Sequence, residues 1–127
     1  MHKSRLAGLI IDCESAELDT AAEFWGAALG APPKQSPDTQ TGQYVKLDMP
    51  LDGPYVEVQT VNHASRVHLD IESDDIPAEV RRLEGLGAIQ VVTLKEWVVM
   101  EAPTGQRFCV VPVGSADFEN RANHWKD

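Results

Sequence analysis

From Arg66 to Glu72 polar and apolar residues alternate. Val67, Leu69 and Ile71 fall on one side and Arg66, His68 and Asp70 on the other, the period of a strand with one face on a core. An echo lies upstream. Leu9-Ile10-Ile11-Asp12-Cys13-Glu14-Ser15 matches Val67-His68-Leu69-Asp70-Ile71-Glu72-Ser73 at one offset, with Asp, Glu and Ser in register and Ile10 where the second copy has His68. The elements after each copy also run in the same order. A strand at 6–13 leads to Leu18, Ala21, Ala22, Trp25, Ala28 and Leu29 at helical spacing, and Gly30 with Pro32-Pro33 ends that helix. The composition of 34–42 predicts a loop, and strands at 44–48 and 55–61 flank a turn at 50–54. In the second half the strand at 66–71 runs into Ser73-Asp74-Asp75 as a helix cap, with Pro77 at an early helical position. Ile76, Val80 and Leu83 form the helical stripe, Gly87 the stop, and strands follow at 89–94, 97–101 and 108–113. The tail 114–127 is polar, with Phe118 and Trp125 as anchors.

Each half therefore reads strand, helix, then two or three strands. The expected fold class is α+β: two tandem βαβββ modules, about 6–62 and 66–113, in a single domain over 1–127 with a C-terminal tail. They are expected to form a curved mixed sheet with helices outside and a concave ligand cup. Strand parity gives the cup its inventory. If His68 faces it, so do Arg66, Asp70, Ile10 and Asp12; Tyr55, Glu57 and Gln59 join them, as do Tyr44, Lys46 and Asp48. Arg107 and Cys109, and Trp97 and Glu101, complete the face from the second half. The opposite parity is apolar (Val45, Leu47, Val56, Val58, Val98, Met100, Phe108, Val110) and suits the helices.

Composition narrows the partners. A chain of 127 residues with 43% apolar and 24% charged residues is an ordinary globular domain. The net charge of −9 argues against nucleic acid and anionic membrane and is compatible with a cationic ligand. No apolar run is long enough to span a bilayer, and Met1-His2-Lys3-Ser4-Arg5 leads into no signal-peptide pattern. Cys13 and Cys109 give no disulfide framework, so a cytoplasmic protein is expected. His2, His63 and His124, near the termini or in a turn, receive no role.

Leu-Ile-Ile-Asp-Cys at 9–13, Ala22-Glu23-Phe24-Trp25-Gly26-Ala27-Ala28-Leu29-Gly30, Arg66-Val67-His68-Leu69-Asp70, Leu86-Gly87-Ala88 and Ala102-Pro103-Thr104-Gly105-Gln106-Arg107-Phe108-Cys109 are a further set of signals. In this order they resemble the vicinal oxygen chelate superfamily: the glyoxalase I, bleomycin resistance protein and extradiol dioxygenase group, and within it the glyoxalase-like domain branch. The resemblance spans about 6–113 and speaks for the fold more than for a reaction. It implies a small-molecule ligand, a homodimer, and either lyase, isomerase or dioxygenase chemistry or metal-free sequestration of a drug in the manner of bleomycin resistance proteins. It also implies four inward metal positions, here filled by Ile10, Glu57, His68 and Cys109. Ile10 cannot coordinate, and Cys109 coordinates only as a thiolate.

The residues themselves leave alternatives open. His68 reads as metal ligand, general acid/base or structural histidine, and Glu57 as ligand, base or partner of Lys46. The cofactor expectation is none, or a divalent metal such as zinc on His68, Glu57 and Cys109, the three protein ligands that a catalytic zinc needs. Tyr55 and Trp97 offer stacking planes, and Arg66, Lys46 and Asp70 offer charge to a ligand. Glyoxalase I activity is not expected, because Ile10 and Cys109 depart from its ligand set. His68→Ala is expected to abolish ligand binding or turnover at a stability cost of about 1 kcal/mol or less.

Overall fold

The computed structural model describes residues 1–34, 44–50 and 53–127. The expected loop at 34–42, beyond Lys34, and the middle of the turn at 50–54 lie outside the described residues. The chain is α+β, with strands β1 (His2–Glu14), β2 (Tyr44–Lys46), β3 (Tyr55–Val61), β4 (Arg66–Ser73), β5 (Ile89–Thr93), β6 (Val98–Glu101), β7 (Arg107–Pro112) and β8 (Asn123–Trp125). Helices α1 (Leu18–Leu29), α2 (Ile76–Gly85) and α3 (Phe118–Arg121) complete the described elements. No described helix is long and apolar enough to cross a membrane.

Two compact units divide the chain, Gly8–His68 and the pair of segments Met1–Ala7 and Leu69–Asp127. In the first, β1 pairs parallel with β3, and β3 pairs antiparallel with β2. Leu9, Ile11 and Cys13 of β1 join Val45, Leu47, Val56 and Val58 in a core closed by Ala22, Leu18 and Trp25 of α1. Gly30 ends α1 in the left-handed region at φ 67°, which a side chain rarely tolerates. In the second unit the pairing is the same in kind: β4 runs parallel to β7, β7 antiparallel to β6, and β6 antiparallel to β5. Val98, Met100 and Val110 pack with Val80 and Leu83 of α2. Asp75 caps α2, its carboxylate accepting from the Ala78 N–H at 3.1 Å.

Three local expectations are corrected. The first strand begins at His2 rather than 6, because the tail supplies it with a partner: β8 pairs antiparallel with His2–Ser4. The tail is not merely anchored, for it forms α3 and β8, with Phe118 3% exposed. On β4 the expected core side is open at its start, Val67 being 59% and Leu69 44% exposed, while Asp70 and Glu72 are buried. Glu72 is held there by function of the tail: its Oε1 accepts from the N–H groups of Gly114 and Ser115 at 2.9 and 3.1 Å. Its Oε2 has no hydrogen bond and faces Arg5 Nε at 3.6 Å.

Candidate functional site

The pairing registers of the unit Gly8–His68 set one polar face. Gly8 lies opposite Tyr55, Ile10 opposite Glu57 and Asp12 opposite Gln59; on the other side of β3, Tyr44 meets Gln59 and Lys46 meets Glu57. Parallel and antiparallel partners share a face, so alternation along β1, β2 and β3 collects these side chains together. His68, at the end of the unit, joins them through Asp12.

Asp12 is the centre of this face. It is 2% exposed, and one of its oxygens, Oδ2, accepts a hydrogen bond from His68 Nδ1 at 2.6 Å. Its other oxygen accepts from the Gln59 amide at 3.2 Å. Arg66 Nε stands 3.9 Å from Oδ2, adding positive charge without a hydrogen bond. A buried carboxylate is tolerated only when its lone pairs are satisfied, and these contacts do that. They also fix the histidine. Its Nδ1 proton is given to Asp12, which sets the orientation of the ring.

A second cluster shares the face. Lys46 Nζ is 3.9 Å from Glu57 Oε2 and 5.0 Å from the centroid of the Tyr55 ring. Tyr55 lies so close against β1 that a Cβ at Gly8 would be 2.3 Å from its ring carbons. Glycine at position 8 is thus what lets the ring lie there. On the opposite side of β1, burial raises the Cys13 thiol pKa, the Trp25 side chain lowers it in part, and Asp12 raises it further. Cys13 is therefore a protonated core thiol rather than a nucleophile.

Of the residues singled out from sequence, His68, Glu57, Tyr55, Arg66 and Lys46 belong to this unit, and Asp70, Trp97 and Cys109 to the other. Asp70 is 7% exposed and stands opposite Cys109 across β4 and β7. Trp97 precedes β6 and is 38% exposed, its carbonyl accepting from the Leu94 N–H at 2.9 Å. Asp12 and Gln59 were counted on the polar face but given no role. The repeat held the signal, since Asp12 echoes Asp70. Gln59, opposite Asp12, holds the place that Cys109 holds opposite Asp70; Glu57 sits two residues earlier, opposite Ile10.

The metal positions that the resemblance implies in this unit fall on Ile10, Glu57 and His68. Ile10 is 2% exposed and offers no donor opposite Glu57, His68 Nδ1 is committed to Asp12, and Glu57 stands beside Lys46. That leaves Glu57 and His68 as donors at these implied positions, one short of the three protein ligands of a catalytic zinc site. In the other unit a hollow of about 690 Å³ opens at the start of α2 beside Asp74, Asp75, Ile76, Val113 and Phe118. Its acids are engaged in structure, Asp74 accepting from the Lys3 N–H at 2.8 Å, Asp75 capping α2 and Glu119 pairing with the Lys3 ammonium.

A profile of the family described as "glyoxalase-like domain" matches residues 8–111. No curated protein matches the chain. Solved structures do. Methylmalonyl-CoA epimerase from Mycobacterium tuberculosis is 17% identical, with a TM-score of 0.60 over 86% of this chain and 88% of its own. A methylmalonyl-CoA epimerase in complex with methylmalonyl-CoA and NH4+ is 15% identical, with a TM-score of 0.59 over 91% and 97%. A hypothetical protein from Bacillus halodurans C-125 is 11% identical, with a TM-score of 0.61 over 87% and 95%. At such identities the likeness is one of fold.

Proposed function

Because the chain belongs to the glyoxalase-like domain family, within the vicinal oxygen chelate superfamily, we propose that it binds a small organic molecule on the polar face around Asp12. In this reading it is a cytoplasmic enzyme, and His68 moves a proton to or from the bound molecule, the step at the heart of isomerase and lyase chemistry. The observation that carries the reading is the 2.6 Å hydrogen bond from His68 Nδ1 to the buried Asp12 carboxylate. Asp12 holds the ring in place and Gln59 holds Asp12. Glu57 is the second candidate acid/base, with Lys46 beside it to meet a negative group on the ligand. Tyr55 and Arg66 shape and charge the rim.

Proton exchange tests this directly. Small carbon acids are incubated with the protein in D2O and their C–H signals followed by NMR. Wild type is expected to catalyse exchange of at least one class, and His68→Ala and Asp12→Asn to lose it. Equal exchange by wild type and His68→Ala removes His68 from the chemistry. Binding without exchange favours sequestration of the bleomycin-resistance kind instead. Elemental analysis of the same preparation shows whether the chain takes up zinc. Glyoxalase I activity is not expected: by the resemblance, Ile10 takes a position where a ligand would help to hold an enediolate. Chelator-sensitive isomerisation of the glutathione–methylglyoxal adduct would overturn that expectation.

A further inference from the structure

The second residue of the chain is 2% exposed. His2 Nε2 lies 2.8 Å from Glu79 Oε1 on α2, and its Nδ1 is hydrogen-bonded to Asp127 Oδ1. A neutral imidazole has one N–H, and ionised carboxylates only accept. Both contacts are hydrogen bonds only when both ring nitrogens carry protons, so the geometry requires an imidazolium. Glu79 is fully buried and accepts also from Ser4 Oγ at 2.8 Å and from Arg82 Nε and Nη2 at 2.9 and 2.8 Å. Ser4 Oγ in turn accepts from Trp125 Nε1 at 2.8 Å, and the Arg82 guanidinium lies 3.9 Å over the Trp125 ring. The Met1 ammonium reaches Asp127 Oδ2 at 2.9 Å. The charged groups around His2 are thus Glu79 and Arg82 from α2, and Asp127 and the Met1 ammonium from the chain ends.

We propose that the His2 imidazolium is a proton-operated clasp that holds β8 on the first residues of β1. With the proton in place, His2 bridges Glu79 and Asp127 while His2, Lys3 and Ser4 pair with Trp125, His124 and Asn123. When the proton leaves to water, one carboxylate faces a ring lone pair instead of an N–H. The bridge then breaks on one side, and the Trp125 contacts to Ser4 and Arg82 loosen with it. Burial presses the His2 pKa down, but the hydrogen bonds and charges of Glu79 and Asp127 together outweigh it and hold it above 6.5. A raised folded value means that the clasp is fully closed below about 6.5 and opens as pH rises through that folded value.

The test is an NMR titration of the full chain, following the His2 ring protons and the Trp125 indole N–H, the latter assigned with Trp125→Phe. The expected result is a His2 midpoint above 6.5, with the Trp125 indole shifting at the same midpoint and the Trp25 and Trp97 indoles unmoved. His2→Gln is expected to remove the Trp125 step, and Glu79→Gln to lower the His2 midpoint. Should His2→Gln fail to fold, the wild-type titration and Glu79→Gln decide. A His2 midpoint at or below 6.5, or a Trp125 indole that stays flat through the His2 titration, overturns the proposal.

Discussion

At the scale of single residues, Asp12 changes what His68 is expected to do. A histidine facing solvent in a cup would cost little to remove. This one satisfies a carboxylate that is 2% exposed, so His68→Ala strips a buried acceptor of its shortest hydrogen bond. The expected loss is about 1–3 kcal/mol, read from urea denaturation, with His68→Gln losing less because its amide can still donate. If His68→Ala is as stable as wild type, the Asp12 contact carries no weight. Asp12→Asn removes the charge that fixes the tautomer; a drop in turnover of about 10⁴-fold is the scale seen when a catalytic histidine is set in the wrong tautomer. Nitrogen-15 shifts of the His68 ring check the cause, Nδ1–H in wild type and a mixture in the variant. Gly8→Ala places a methyl against Tyr55 and is expected to cost about 1–3 kcal/mol. The same change in a Tyr55→Ala background should cost far less, and equal costs in both would show that the ring is not the obstacle.

At the scale of elements, much of the fold was legible because it was written twice. The Asp-x-Glu-Ser echo placed β1 and β4, and helical spacing with Gly30 and Pro77 placed α1 and α2. The apolar parity of Val45, Leu47, Val56 and Val58 placed the face that packs on α1. Short elements made by distant partners were not legible. β8 has three residues, of which Asn123 and His124 are polar, and it is a strand only because β1 offers it an edge. His2 received no role for the same reason: its burial depends on Glu79, which is 77 positions away. The exposure of Val67 and Leu69 was missed because alternation reports that a strand has two faces and not which of them is covered. Asp12 was seen on its face, but its role needed the distance to His68.

At the scale of the whole molecule, acid and base should act on the same unit from opposite sides. Burial presses the Glu79 pKa up, but hydrogen bonds from Arg82, His2 and Ser4 outweigh it and hold it below 4.5. A lowered folded value contributes stability present above about 4.5 and lost as pH falls through it, whereas the His2 contribution is present below about 6.5 and lost as pH rises through its raised value. The melting temperature is therefore expected to fall on both sides of a mildly acidic maximum, and Glu79→Gln to flatten both limbs; an unchanged profile in that variant would dismiss the network as its source. A homodimer remains the expected assembly. All five residues of β5 are exposed, Ile89, Val91 and Val92 among them, more apolar edge than a lone chain commonly leaves open. Monomer mass alone by light scattering at micromolar concentration would count against it. One last property follows from the way β1 is divided. Gly8–His68 is a single uninterrupted stretch, while Met1–Ala7 belongs with Leu69–Asp127. A nascent chain leaving the ribosome can finish the uninterrupted stretch early, yet residues 1–7 must wait, unpaired with β8, until Trp125 has been translated. Residues 1–7 are thus among the last to find their place, and ribosome-stalled chains ending before Asn123 should leave the segment around His2 open to proteases.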